Sequence, residues 1–464
     1  MSVSKKTIIA AAGVGGADYI GSAYHVITNS RSNLLDVRLD AETGYVAFMG
    51  RDVSLNIHHL DLIDQDGDYL WSKKFSVGNN TSAQQPIAFY GDDVYFCMRF
   101  NNSAWENGKI NKDTGTLTQL GQWTFNDYGA NKYSRALILN DYIYVSGWES
   151  DDLQTISWSD ISHTSRNGFI SQVSGVNNLG ASLEVAKDIQ YTVTGEDSAY
   201  LSIGQTTSSV GNKGVVGQYT ITGNTTIART FMKSISGDSS GHSTDVVQNA
   251  KSDSSGNLYI GGYARYGGAT NAHAYYFMKF NSSGTLQWIR EFAGTLQPNN
   301  TYSRCSSYIC SQGNIHFSFV EYTADNNHAR TIYTCDDSGN LISKTTIKFP
   351  AAGGVLAGRN MCDMAGDGFV FAVEAGGSPY EVNVVRIPLN TDISYSSSEL
   401  EIVYDDTVTW NVGSASDYSI LDPSGNTYLF SVYDPNQTNI ASASSNTVSD
   451  RTSPAWASPI DIPY

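Results

Sequence analysis

DSSGNLYIGGYARYGGATNAHAYYFMKFNSSGTLQWIREF, residues 253–292, reads as one supersecondary unit. A turn at residues 253–257 launches a strand over residues 258–263, and a polar loop leads to a second strand over residues 275–280. A second turn of the same chemistry, residues 281–284, feeds a third strand over residues 285–292, with Trp288 four residues after Gly284. Asp, Asn and Ser bend a chain by bonding their own backbone, Gly tolerates positive φ, and β-branched and aromatic residues fill pleated runs. A unit this small cannot bury its own apolar face. Its meaning depends on recurrence.

It recurs. The first turn and its strand reappear as TGYVAFMG at Thr43, DDVYFCM at Asp92, NDYIYVSGW at Asn140 and EDSAYLSIG at Glu196. After the copy at Asp253 come GNIHFSF at Gly313, GDGFVFAV at Gly366 and GNTYLFSV at Gly425. The period is roughly 50–60 residues, with about four short strands per copy and no helical stretch, the signature of a β-propeller. The second turn recurs as DQDGDYLW at Asp64, KDTGTL at Lys112 and DDSGNLI at Asp336, and more loosely at Gly175, Gly223 and Asn390. First turns outnumber second turns, so the last copy is short and expects a strand from elsewhere, near the N-terminus. The expected fold is all-β: a single propeller of eight, alternatively seven, four-stranded blades over residues 34–447. An attachment or closing segment (1–33) precedes it and an extended arm (448–464) follows.

Copies reading D-x-x-G-N-x-Y-x-x-G, then a strand ending K-F/L-N/D-x-x-G-x-L-x-W, resemble the bacterial SBBP-type β-propeller repeat. The match is close over residues 253–288, fair over 43–71 and 313–342, and weak elsewhere. It implies a fold and no reaction, because propellers host enzymes, scaffolds and binding proteins alike. A second resemblance lies at the N-terminus. SKKTIIAAAGVGGADYIG, residues 4–21, is similar to leaders of tailed-bacteriophage virion proteins, whose N-terminal ends dock to the particle. That resemblance makes Lys5, Lys6, Ile8 and Ile9 the attachment residues. The alternatives are a closing strand or plain tail, and a signal peptide, which the short, Gly-interrupted apolar run fits poorly.

Charged residues are 16% of the 464, and formal net charge is −17. An acidic chain without a basic cluster beyond Lys5-Lys6 or Lys73-Lys74 has no electrostatic reason to seek nucleic acid or an anionic membrane surface. No apolar run approaches the roughly 18 residues of a spanning helix. The five cysteines are odd in number and lack CxxC spacing. They read as reduced core thiols, with Cys305 and Cys310 able to pair across a hairpin as the alternative.

The sialidase Asp box needs Ser-x-Asp before its glycine, which neither Gly67–Trp71 nor Gly284–Trp288 has. Gly237-Asp-Ser239-Ser-Gly241 matches G-x-S-x-G by letter but continues as a polar loop rather than a helix. His58 and His59 are adjacent, so on a strand they face opposite sides and cannot hold one ion. Asp64, Asp66 and Asp68 stand at alternate positions like a weak calcium loop, although the same place in other copies is ordinary turn chemistry. No cofactor is called for.

Binding remains. An insertion in copy three, residues 148–166, carries Trp148, Asp151, Asp152 and Trp158, and the copy-five loop carries Tyr263 and Tyr266. Aromatics beside carboxylates stack on sugar rings and bond their hydroxyls; the competing role for each is packing between blades. The expected function is a non-enzymatic structural component of a tailed-phage particle, homo-oligomeric, contacting other virion proteins and host-surface glycan or protein. The alternatives are a secreted or surface bacterial propeller that binds glycan or protein, and a polysaccharide-acting propeller enzyme.

Overall fold

The computed structural model describes the strands between residues 24 and 442, together with residues 40–45, 64–68, 91–92, 112–116, 197, 253–257, 281–285, 313–314 and 336–340. Every element is a strand. After β1 (Tyr24–Asn29), six antiparallel four-strand meanders follow one another. They are β2 (Asn33–Leu39), β3 (Val46–Asp52), β4 (Ile57–Ile63) and β5 (Tyr69–Ser76) in blade 1, and β6 (Ile87–Tyr90), β7 (Asp93–Arg99), β8 (Ala104–Asn111) and β9 (Leu117–Thr124) in blade 2. Blade 3 holds β10 (Lys132–Leu139), β11 (Tyr142–Glu149), β12 (Leu153–Asp160) and β13 (Gly168–Ser171), and blade 4 holds β14 (Leu183–Gly195), β15 (Ser198–Thr207), β16 (Lys213–Thr222) and β17 (Thr226–Gly237). Blade 5 is β18 (Thr244–Ser252), β19 (Leu258–Arg265), β20 (His273–Phe280) and β21 (Leu286–Gly294). Blade 6 is β22 (Ser307–Ile309), β23 (Ile315–Tyr322), β24 (His328–Cys335) and β25 (Leu341–Lys348).

The closing sheet differs. β26 (Asn360–Ala365), β27 (Gly368–Ala375) and β28 (Glu381–Pro388) take their fourth strand from the other end of the chain, with Tyr24 opposite Arg386 and Asn29 opposite Glu381. First strands contact one another in the order β2, β6, β10, β14, β18, β22, β26 and back to β2, so they line the axis of a closed β-propeller.

The expected ring of eight, or alternatively seven, four-stranded blades is overturned by this pairing. The chain forms six contiguous four-strand blades and one composite closing sheet. The copy at Gly425 builds no blade. Its strand β33 (Thr427–Tyr433) pairs instead with the outer strand β17 of blade 4, accompanied by β32 (Ser419–Leu421) and β34 (Ala441–Ser442). β31 (Asn411–Gly413) pairs with β21, and β30 (Glu401–Asp405), with β29 (Ser394–Ser396) beside it, pairs with β25. The C-terminal segment therefore runs back around the rim over blades 6, 5 and 4 as a strap. The N-terminal strand completes the sheet of the copy at Gly366, not the last copy.

Local chemistry explains the turns. Asp64 Oδ1 accepts the amides of Asp66 and Asp68, each at 2.9 Å. Asp253 Oδ1 does the same for Ser255 and Asn257 at 2.9 and 2.8 Å, and Asn281 Oδ1 for Ser283 and Thr285 at 3.1 and 2.8 Å. In blades 1, 5 and 6 the outer strand carries an extra residue just after the third-to-fourth-strand turn. The register skips Leu70 between Trp71 and Tyr69 and Ile342 between Ser343 and Leu341, which turns both apolar side chains outward.

Core lies between blades, as a two-faced sheet requires. Leu60, Leu62 and Phe75 of blade 1 meet Ile87, Phe96 and Met98 of blade 2. Tyr259 and Phe277 of blade 5 meet Phe317, Phe319 and Tyr333 of blade 6, with the Phe277 and Phe317 rings 4.6 Å apart. Each ring so enclosed contributes about 1.5–3 kcal/mol. Gly284 joins the turn chemistry to this packing: its φ is +77°, and a Cβ there would lie 2.7 Å from Phe231 Cγ in the preceding blade. Gly284→Ala is expected to lower the urea midpoint by an amount equivalent to about 1–3 kcal/mol, adding left-handed strain to a clash.

Candidate functional site

In a four-strand antiparallel meander the first and third connections emerge on one face of the ring and the second on the other. The described connections of the first face are tight turns bearing Asp or Asn, and Glu42, Asp66, Asp68, Asp92, Asp113 and Asp337 are exposed on it. Its polar groups hold neighbouring blades together. The fullest such lock joins blade 5 to the turn at residues 336–340 of blade 6. Trp288 Nε1 donates to the Asp337 carbonyl at 2.9 Å. Arg290 Nε and Nη2 donate to the carbonyls of Gly339 and Ser338 at 2.9 and 2.7 Å, and the guanidinium lies 5.3 Å over the Trp288 ring. The Asp337 carboxylate receives Lys279 Nζ at 2.6 Å and the Tyr259 hydroxyl. Burial works to raise the Asp337 carboxyl, but the bonds from Lys279 and Tyr259 outweigh it and hold it below its usual value. Burial, the bond to Asp337 and the charges of Asp253 and Asp337 push the Tyr259 phenol up, which makes it a donor and not a base.

The same device recurs in altered chemistry. Trp71 Nε1 donates to the Lys112 carbonyl at 2.9 Å, while Lys112 Nζ reaches back to Asp40 Oδ2 at 3.1 Å. Asp36, buried in β2, accepts the Ile87 amide of blade 2 at 3.0 Å, and Asp363 accepts the Leu39 amide across the closing seam at 3.0 Å. Between blades 4 and 5, Gln218 Nε2 donates to Ser252 Oγ at 2.8 Å and to the Gly256 carbonyl at 2.9 Å. These groups are engaged in fixing the ring.

Asp64, Asp66 and Asp68 form one such turn, with Asp64 turned onto backbone amides. Among the described residues no group of three or more His, Cys, Asp or Glu side chains is placed to hold a metal ion. Residues 148–166 are no inserted loop: β12 occupies their middle as a regular third strand. Trp148 stands opposite Gln154 near the end of β11, and Trp158 stands opposite Tyr144 toward the other end of β12. Tyr263 is in β19, opposite Tyr275. Topology thus brings Trp148 and Tyr263 to the second-connection face, in blades 3 and 5, and separates Trp158 from both. Asp151, Asp152 and Tyr266 lie outside the described residues, as do Lys5, Lys6, Ile8, Ile9, Ser239, Cys305 and Cys310.

Sequence reading puts His58 and His59 on opposite faces of a strand but passes over the buried arginines beside them. Strand alternation puts His58 with Leu60 and Leu62 in the seam toward blade 2, and His59 with Ile63 toward the closing sheet. His58 is 0% exposed, sits opposite Arg51 in the ladder, and neither ring nitrogen has a hydrogen-bond partner among the described residues. Burial, then the charges of Arg51 and His59, lower its pKa to about 4. His316 is likewise enclosed, with Nδ1 2.8 Å from Thr334 Oγ1, and burial lowers it to about 3. Cys97 and Cys335 are buried free thiols, pushed up by burial.

No protein-family model matches the chain, so the likeness to the SBBP-type repeat rests on the residues quoted above. No curated protein matches it either. Solved structures of similar architecture include Sqt1 of Saccharomyces cerevisiae, at 10% identity and TM-score 0.40, covering 78% of this chain and 98% of that one. The WD40 domain of SCAP from fission yeast follows at 11% identity and TM-score 0.36, covering 76% and 84%. The polysaccharide lyase Uly1 matches at 10% identity and TM-score 0.46, covering 82% and 94%. The propeller assignment rests on the strand pairing, and these likenesses add no argument about activity.

The buried imidazole has a measurable consequence. His58 titrates near 6.5 when unfolded and near 4 when folded, so the unfolded chain alone takes up its proton between those values. Stability is expected to fall as pH drops from about 6.5 to about 4, by up to about 1.4 kcal/mol per pH unit from this group. His58→Gln, followed by urea unfolding across that window, should show a shallower decline than the parent chain.

Proposed function

We propose that the chain is a non-enzymatic propeller serving as a rigid disc for assembly and host-surface contact, in the external appendage of a tailed-phage particle. The observation that supports this most directly is the use of its rim. Three consecutive blades and the closing sheet already take an added strand along their outer edge, and strand addition is a general mode of protein–protein recognition. Several polar groups on the turn side, Asp337, Lys112 and Gln218 among them, are engaged in interblade locks, which stiffens the body. The phage setting comes from the leader at residues 4–21, which attaches the disc and makes other virion proteins its partners, in a homo-oligomeric arrangement.

A second reading, a secreted or cell-surface propeller that binds glycan, is favoured by one topological fact: Trp148 and Tyr263 come to the same face. Aromatic platforms there suit sugar rings.

The fold dictates how the attachment role is tested. Deleting residues 1–33 would remove β1 and open the ring, whereas deleting residues 1–23 spares it. The shorter deletion is expected to leave thermal unfolding unchanged and to abolish the oligomer seen by light scattering; the longer one should also lower the melting temperature. If the 1–23 deletion assembles like the full chain, attachment through the leader fails. Reducing-end release from polysaccharides by the full chain would overturn the non-enzymatic reading.

A further inference from the structure

The strap reveals which chemistry the outer rim accepts. β30 lies antiparallel on β25 with Asp405 opposite Lys344 and Glu401 opposite Lys348. Opposite charges at directly paired ladder positions favour a pairing beyond its main-chain bonds. From residue 394 to 442 the strap contains several acidic residues and no Lys, Arg or His.

β5 is the equivalent strand of blade 1. Both β5 and β25 follow an Asp-capped turn with a positive-φ glycine, Gly67 and Gly339, and both carry the extra outward residue at the same point. Among the described residues β5 is the last strand of its sheet, as β9 and β13 are of theirs. Of these three outer strands only β5 carries lysine, with Lys74 exposed and Lys73 half-buried, and Tyr69 and Leu70 are each 40% exposed beside them.

We propose that the outer edge of β5 is a strand-addition site for an extended segment of a partner protein in which acidic residues alternate with apolar ones. Charge complementarity selects that partner: β25 takes an acidic strand within the chain, and although its Lys344 and Lys348 stand where β5 has Ser72 and Ser76, Lys74 occupies the ladder position between those two, diagonal to both acidic positions of such a strand. The lysines also discourage a second β5, since like charges facing across a ladder repel, so two copies do not join edge to edge here. The inference deepens the assembly role by naming the rim segment and the chemistry it takes. It is measured without any particle, so either can fail alone.

The probe is a labelled peptide of residues 399–407, ELEIVYDDT, titrated into the full chain at low salt, with amide hydrogen exchange as the second readout. Saturable binding is expected, with new protection over residues 71–76. Lys74→Glu, an exposed change that should leave the melting temperature unaltered, is expected to weaken binding about tenfold. Salt near 1 M should weaken it too, and the charge-reversed peptide KLKIVYKKT should not bind. Absence of binding, or equal binding by the variant, overturns the proposal. So does protection appearing on β25, which means the peptide displaces the strap, or concentration-dependent protection of β5 without peptide, which makes a second copy the occupant.

Discussion

A four-stranded sheet has two faces, and among the described residues neither is covered by a helix. Each blade must therefore be buried by the next, and the whole structure depends on how one blade grips its neighbour. The grip is the insertion of an outer-strand aromatic against the neighbour's tight turn: Trp288 under residues 336–340, Trp71 under residues 112–116, Phe231 against Gly284. Carbonyls that a turn would leave exposed become acceptors for indole and guanidinium donors, so polar satisfaction and apolar burial are met by the same side chains. A seam of this kind tolerates variation in partners but not in position. The glycine under the ring has no room for a side chain.

Much of this was legible, because turn chemistry is local. The second strand of every copy begins where its turn ends, from Val46 through Leu258 to Thr427, and the tryptophan four residues after the glycine belongs to the hairpin as read. The destination of a strand is another matter. Nothing in GNTYLFSV distinguishes a blade strand from a rim strand; that depends on which edge is free when the ring has closed without it. The same non-locality hid the regular third strand in residues 148–166, whose acidic and tryptophan-rich composition resembles a loop.

Candidate chemistry was less legible than fold. Asp64, Asp66 and Asp68 share a spacing with calcium loops because both need a tight bend, and the bend alone accounts for Asp64. His58 looked like half of an unremarkable pair. Its significance comes from a neighbouring blade that excludes water from it, a property of the seam that no residue spacing encodes. Arg290 was invisible as a lock for the same reason, since its acceptors lie in the next copy.

The pairing of β1 with β28 has a further meaning for how the molecule comes into being. β1 must wait for β28, so ring closure joins two segments far apart in the sequence and carries the loop-closure entropy of everything between them. During synthesis the early blades form with an unclosed flank, and β1 dangles beside β2 until β28 emerges. Closure is then the late, committing step of folding, and separation of those two strands is the natural first step of opening.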